Sequence, residues 1–215
     1  MSTQSKGQAV FVAALVAFGA WTAAVLTPSL ARADLSITRW LQQYASPTLD
    51  TVLSLLTFLG NAETTIVLVI LTGMLLVYRG QAPLAIALLA VFIGGTAIEW
   101  AAKHSLPHAN VPESLQRQGL SIYHHQFRTP YSYPSGHAFR TLLLATVVPR
   151  LWTGSREGAA WLPYLLGALV VLMGVALVYL GDHWASEVVG GFLLSSVAVA
   201  VLRAQRGESA RTPSS

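Results

Sequence analysis

Two short stretches and one lysine hold most of the residues able to do chemistry. The first stretch is Tyr133-Pro134-Ser135-Gly136-His137-Ala138-Phe139-Arg140. Proline and serine are both residues that start helices, serine as a cap and proline in the first turn. Ser135, Gly136 and His137 then set free backbone N–H groups, a hydroxyl and an imidazole at a helix N-terminus, which is a ready anion site. Arg140, one turn beyond His137, adds a guanidinium able to grip phosphate with two donors; the alternative for it is to snorkel to a membrane interface. The second stretch is Tyr179-Leu180-Gly181-Asp182-His183-Trp184-Ala185-Ser186-Glu187. Four residues separate His183 from Glu187, so the two share one helix face. A carboxylate bonded to one imidazole nitrogen fixes the tautomer and leaves the other nitrogen free to attack. Two histidines beside a cationic anion pocket suit phosphoryl transfer, one attacking phosphorus and the other protonating the leaving oxygen. The lysine is Lys103, which also stands at i,i+4 from Glu99, a spacing that pairs the two at a helix end.

The elements that must position these residues are apolar. Of 215 residues, 53% are hydrophobic and 10% charged, against about 25% charged in an ordinary soluble domain. That balance excludes a water-soluble globule and a disordered chain alike. No cysteine is present, so disulfides, zinc thiolates and thiol nucleophiles are excluded. Uncharged or nearly uncharged segments predict six membrane spans: 9–26, 50–78 as one broken or two helices, 82–103, 135–152, 159–181 and 183–203. They form a single all-α domain, residues 1–203, a polytopic membrane helical bundle, followed by a disordered cytoplasmic tail over 204–215. Gly94-Gly95 and Gly190-Gly191 lie inside spans and suit close helix contact in lipid. Between the first two spans, Ile37, Trp40, Leu41 and Tyr44 fall on one side of a short amphipathic helix that should lie at the interface. The loop 105–134 is long enough to be functional or a lid. Ala31-Arg32-Ala33 resembles a signal-peptide cleavage site, but the apolar run before it is longer than an h-region and Pro28 interrupts it; an uncleaved first span is the preferred reading.

The net charge of +4 would suggest nucleic acid in a soluble protein. Here the cations mark topology. With the N-terminus in the cytoplasm, Lys6, Arg79, Arg150, Arg156, Arg203, Arg206 and Arg211 fall inside, and Arg32, Arg39, Lys103, Arg117, Arg128 and Arg140 outside. Four of the outer six flank the chemical stretches and are a poor guide to topology. All six histidines, His104, His108, His124, His125, His137 and His183, fall on that outer side. His104, His108, His124 and His125 read as loop residues, since they lack the regular ligand spacing of a zinc site. No nucleic-acid partner is expected.

At these residues the chain resembles the type 2 phosphatidic acid phosphatase (PAP2) family, over roughly residues 50–202. That family carries a Lys followed by Arg-Pro, then Pro-Ser-Gly-His, then Ser-Arg, a His, and an Asp four residues beyond it. Pro134-Ser135-Gly136-His137 matches the second motif in full, and Val178 to Trp184 looks like the third. Two arginines are missing: the first motif's would fall at Asn110-Val111 and the third's at Ala176-Leu177, while the closing Asp is Glu187. The resemblance implies a PAP2/haloperoxidase-like helical core, with His183 as nucleophile forming a phosphohistidine, Glu187 as its orienting carboxylate and His137 as general acid. It implies that Ser135, the Gly136 backbone and Lys103 hold phosphate oxygens, with Arg140 and Arg117 available to replace the missing arginines. No metal and no cofactor is implied, because cations do the electrostatic work. The expected substrate is a lipid phosphate or diphosphate of the undecaprenyl diphosphate, phosphatidylglycerol phosphate or phosphatidate class. Hydrolysis would occur at the outer or periplasmic face of the cytoplasmic (inner) membrane. A lipid phosphotransferase of the same family and a catalytically impaired lipid-phosphate binder are the alternatives. A transporter fits less well, since the polar residues lie at span ends and not at midplane.

Overall fold

The computed structural model describes residues 3–117, 129–151 and 161–209. Among them are eight α-helices and no strand: α1 (Thr3–Val25), α2 (Pro28–Gln42), α3 (Pro47–Thr57), α4 (Ala62–Tyr78), α5 (Ala82–Ser105), α6 (Gly136–Val147), α7 (Leu162–Leu180) and α8 (Ala185–Ser209). Local chemistry sets several boundaries. Proline opens α2 and α3 within the first turn, and the Ser46 hydroxyl caps α3 by accepting from Leu49 N at 3.3 Å. The α7 helix ends on Gly181 at φ +75°, a left-handed cap where a side chain would be strained.

Four helices are long and apolar enough to cross a membrane: Ser5–Val25, Ala82–Ser105, Leu162–Leu180 and Ala185–Arg203. The pair Pro47–Gly60 and Ala62–Tyr78, bent by 47° at the break, is either a fifth, broken span or a re-entrant loop. The count among the described residues is therefore four or five, and the sixth expected span differs in kind. The α6 helix has 12 residues, about 18 Å at ~1.5 Å per residue, short of a hydrocarbon core of about 30 Å. It is also buried on every side: Ala138, Phe139, Arg140, Leu143 and Val147 are all shielded. Being wrapped by protein and not by lipid, it needs neither the length nor the apolarity of a lipid-facing helix. At the C-terminus, α8 continues to Ser209, so helix extends into the segment expected to be a tail; 210–215 lie outside the described residues, as do His124, His125 and Arg128.

The α8 helix is central, packed against α1, α5 and α6, while α4 lies on α5 and α3 on α7. One apolar core joins Leu76, Leu88, Phe139, Leu143, Leu194 and Leu202; a smaller one, Ala138, Met173, Leu177, Val178 and Val188, lies beneath the motif end of the bundle. The glycine pair on α8 makes that end possible. A Cβ at Gly191 would stand 2.3 Å from the Ser135 carbonyl oxygen, and one at Gly190 would stand 2.4 Å from the Tyr133 ring. The expected packing role holds for both, and for Gly95, where Phe139 takes the Cβ position; Gly94 faces open space. Val16, Met74, Ile93 and Val171 point outward, as lipid-facing side chains do.

The α2 helix is amphipathic with its polar side inward. Asp34 and Thr38 are buried, while Ile37, Trp40 and Tyr44 are exposed, an arrangement suited to lying in an interface. Leu41, expected on the same side, instead packs toward the smaller core.

Candidate active site

Antiparallel helices bring the C-terminal ends of α1 and α5 and the N-terminal ends of α4, α6 and α8 to one end of the bundle. All the motif residues meet there. His183 occupies the turn between α7 and α8, with its backbone N donating to Leu177 O at 3.2 Å. Its Nδ1 lies 2.6 Å from Glu187 Oε2, the i,i+4 pair expected from the sequence. Glu187 has no exposed surface. Its other oxygen accepts from His108 Nδ1 at 2.9 Å and from the Ser132 hydroxyl. An imidazole that faces a carboxylate through Nδ1 carries its proton there, so Nε2 of His183 is left as the free nitrogen.

The start of α6 forms the facing wall. Ser135 is fully buried, and its Oγ caps the helix by accepting from Ala138 N at 3.3 Å, while its backbone N donates to Glu187 O at 3.0 Å. The His137 ring stands 5.8 Å from that of His183, centroid to centroid. His137 Nε2 pairs with Asn61 Oδ1 at 2.8 Å. Asn61 sits where the α3–α4 span breaks, and the same break exposes the Gly60 carbonyl, which accepts from Arg140 Nε at 3.3 Å.

The cations converge on a carboxylate. Lys103 Nζ binds Glu99 Oε1 at 2.9 Å, the i,i+4 pair, and Arg140 Nη1 binds Glu99 Oε2 at 3.0 Å. Arg140 is thus buried inside the bundle and does not snorkel. Glu99 lies directly over Gly136, where a Cβ would come within 2.1 Å of Oε1. The positive charges of Arg140 and Lys103 both act on His137.

Arg117, expected near phosphate, is placed differently. Its Nε and Nη2 bind both oxygens of Asp50, at 3.2 and 2.9 Å, and Tyr179 donates to the same carboxylate at 2.7 Å. The Asp50 hydrogen bond holds the Arg117 guanidinium above its ordinary pKa. Its backbone N donates to Leu180 O at 2.7 Å, so Arg117 clasps the start of the long loop to α3 and α7. None of these partners belongs to the sets around Glu187 and Glu99.

Four further residues support the site without having been singled out for it. His108, read as a loop residue, is buried against Glu187. Ser132, on Glu187, and Asn61, on His137, are the next two. The fourth is Asp34 of α2, which caps α8: Ser186 N donates to Oδ1 at 2.8 Å and Ser186 Oγ to Oδ2 at 2.6 Å. Burial pushes the Asp34 carboxyl above its usual range, and the Ser186 bonds offset part of that rise. From α1, Trp21 Nε1 donates to Ser186 O at 2.9 Å, and Thr22 Oγ1 lies 2.8 Å from Tyr133 Oη. Among the described residues no group of three or more His, Asp or Glu is arranged to hold a metal.

Residues 9–211 match the PAP2 superfamily. The chain belongs to that family. Among curated proteins, this PAP2 chain is 41% identical over 69 residues to an undecaprenyl-diphosphatase of Sulfolobus acidocaldarius, covering 32% of this chain and 30% of the relative. It is 30% identical over 103 residues to YbjG of Escherichia coli (strain K12), whose name assigns it provisionally as an undecaprenyl-diphosphatase, covering 46% of each. Both matches span less than half of the relative's length. The fold is similar to the crystal structure of a transmembrane PAP2 type phosphatidylglycerolphosphate phosphatase from Bacillus subtilis, with a TM-score of 0.74, 22% identity, and coverage of 94% of this chain and 98% of that one. An all-helical bundle with four or five apolar crossings and this fold make the PAP2 chain a multi-pass membrane protein.

Proposed function

We propose that this chain is an integral-membrane lipid phosphatase that removes a terminal phosphate through a phosphohistidine. The observation that carries the reading is the His183–Glu187 contact of 2.6 Å, with the His137 ring 5.8 Å from His183 and two cations alongside. Glu187 holds Nδ1, and His183 Nε2 attacks phosphorus. The bond from phosphorus to the leaving oxygen breaks as His137 gives that oxygen a proton. Water then attacks the phosphohistidine, His137 takes a proton from it, and inorganic phosphate leaves with His183 restored. Lys103, Arg140 and the backbone N–H groups at Gly136 supply the electrostatic stabilisation of the phosphoryl oxygens; Ser135 shapes that end of the pocket by capping α6. Arg140 takes the part of a missing motif arginine, while Arg117 stays on Asp50.

The same end of the bundle carries the exposed apolar face of α2, so a head group can reach His183 while its chains stay in lipid. The names of the curated relatives make undecaprenyl diphosphate the first substrate to try, followed by phosphatidylglycerol phosphate and phosphatidate. In this reading α6 is a sixth, protein-wrapped crossing, and the site faces the outer side of the cytoplasmic membrane.

The test is phosphate release from these three lipids by purified protein and by His183→Ala. Release by the wild type and its loss in the variant, with an acid-labile phosphoryl group trapped on the wild type alone, is expected. Equal release from both proteins, or none from either, refutes the assignment.

A further inference from the structure

Lys103 and Arg140, the two cations that the proposed reaction assigns to phosphate, are both bound by Glu99. The Glu99 carboxylate lies over Gly136 at the start of α6, in the place where those cations and the helix N-terminus would receive an anion. We propose that Glu99 is a resident anion that sets a charge threshold for the pocket, admitting terminal phosphate monoesters and excluding phosphodiesters. The inference rests on the lipid-phosphatase reading for its substrate class.

The argument is one of charge and donors. A carboxylate presents one negative charge and two oxygens. A phosphodiester also presents one negative charge and two free oxygens, so it gains nothing by taking Lys103 and Arg140 from Glu99. Glu99 has the further advantage of being tethered, since an intramolecular partner acts at a high effective concentration. A terminal phosphate carries close to two charges and three free oxygens near neutral pH. It outbids a carboxylate for both cations and still has an oxygen for the helix N-terminus. In a bilayer this distinction matters, because the bulk phospholipids are phosphodiesters and vastly outnumber any lipid bearing a terminal phosphate. An unguarded pair of cations at the interface would be filled by them.

The geometry suits stepwise exchange. Glu99 binds the two cations through different oxygens, Oε1 to Lys103 and Oε2 to Arg140. The Lys103 side chain is 16% exposed and that of Arg140 8%. An incoming phosphoryl group therefore meets Lys103 first, while Glu99 keeps Arg140. The carboxylate is not left buried without a partner at that stage, which would be strongly unfavourable.

The experiment compares wild type with Glu99→Gln, purified in detergent. Calorimetry measures binding of inorganic phosphate, of dimethyl phosphate as a soluble phosphodiester, and of phosphatidylglycerol in mixed micelles. A lipid phosphate in the same micelles, measured with and without Glu99→Gln in a His183→Ala background so that it is not turned over, separates the head-group source from the free ion. Glu99→Gln should bind inorganic phosphate and lipid phosphate about tenfold tighter or more, and should bind dimethyl phosphate and phosphatidylglycerol where the wild type does not. Unchanged or weaker phosphate binding in Glu99→Gln overturns the proposal and makes Glu99 a holder of the two cations. Tighter phosphate binding without phosphodiester binding overturns the threshold. Should Glu99→Gln fail to fold, Glu99→Asp, a methylene short of both cations, must shift in the same direction by a smaller factor. Binding is read without turnover, so a protein that binds as stated yet hydrolyses no lipid phosphate refutes the phosphatase reading and leaves the threshold standing.

Discussion

Glu187 differs from an aspartate by one methylene, and the extra reach gives it a second histidine. One oxygen holds His183 and the other holds His108 and Ser132. A fully satisfied buried carboxylate is rigid, and a rigid carboxylate fixes the His183 ring, the proposed nucleophile. His108→Gln is therefore expected to lower kcat about tenfold with little change in KM, because it loosens Glu187 without touching substrate. In a Glu187→Asp background the same substitution should cost almost nothing further, since the shorter carboxylate no longer serves both rings; a pair of additive losses in a double-mutant cycle counts against this. The motif residues were legible in the sequence because their signals are local: His183 and Glu187 are four apart, as are Glu99 and Lys103. His108, Ser132 and Asn61 were not. Ser132 reaches Glu187 across 55 positions and Asn61 reaches His137 across 76, and no spacing rule spans such distances. Glu99 was half legible: its link to Lys103 is local, but its link to Arg140 crosses 41 positions.

At the scale of elements, the capping of α8 by α2 has a pH signature. Asp34 is buried and its carboxyl is raised above the ordinary 3.8. A carboxyl with a raised native pKa binds more protons folded than unfolded, so stability falls as pH climbs from the ordinary carboxylate range through the raised native value, and levels off above it. Asp34→Asn keeps an acceptor for Ser186 N and removes the titration. The difference in Tm between variant and wild type should therefore move in favour of the variant as pH rises above 3.8; a flat difference would show that Asp34 keeps its ordinary pKa. Hydrophobic run lengths located α5, α7 and α8 well, since each faces lipid on one side. They also marked the α6 segment as a weaker span; that its surroundings are other helices is a fact of packing that does not show in its own composition. The α2 helix was legible as an amphipathic helix for the interface, with Ile37, Trp40 and Tyr44 outward; that Leu41 turns inward and that Asp34 reaches Ser186 across 152 positions was not.

At the scale of the whole molecule, the bundle has one chemical end and one plain end. Lys103, Ser135, His137, His183 and Glu187 share the first, and the α4–α5 turn around Arg79 lies at the other. With α6 counted as a crossing, both termini fall on the plain side. A phosphatase or fluorescent reporter fused after Ser215 should therefore report the cytoplasm, and a cysteine introduced at Tyr78, in a chain with none of its own, should be shielded from reagents added outside intact cells. Labelling at that position from outside would invert the molecule and place the site on the cytoplasmic face.

The break between α3 and α4 ties this topology to the chemistry. Gly60 offers its carbonyl to Arg140, and Asn61 its amide to His137, at the point where the helical ladder is interrupted. One added residue between them would part Gly60 from Asn61 by a further ~3.8 Å of chain, with almost no change in hydrophobic length. Such a protein would still insert and still cross, yet its acid would have lost its hinge-pin. The bent pair and the proposed catalyst are thus keyed to the same two residues, and neither can drift in register without the other.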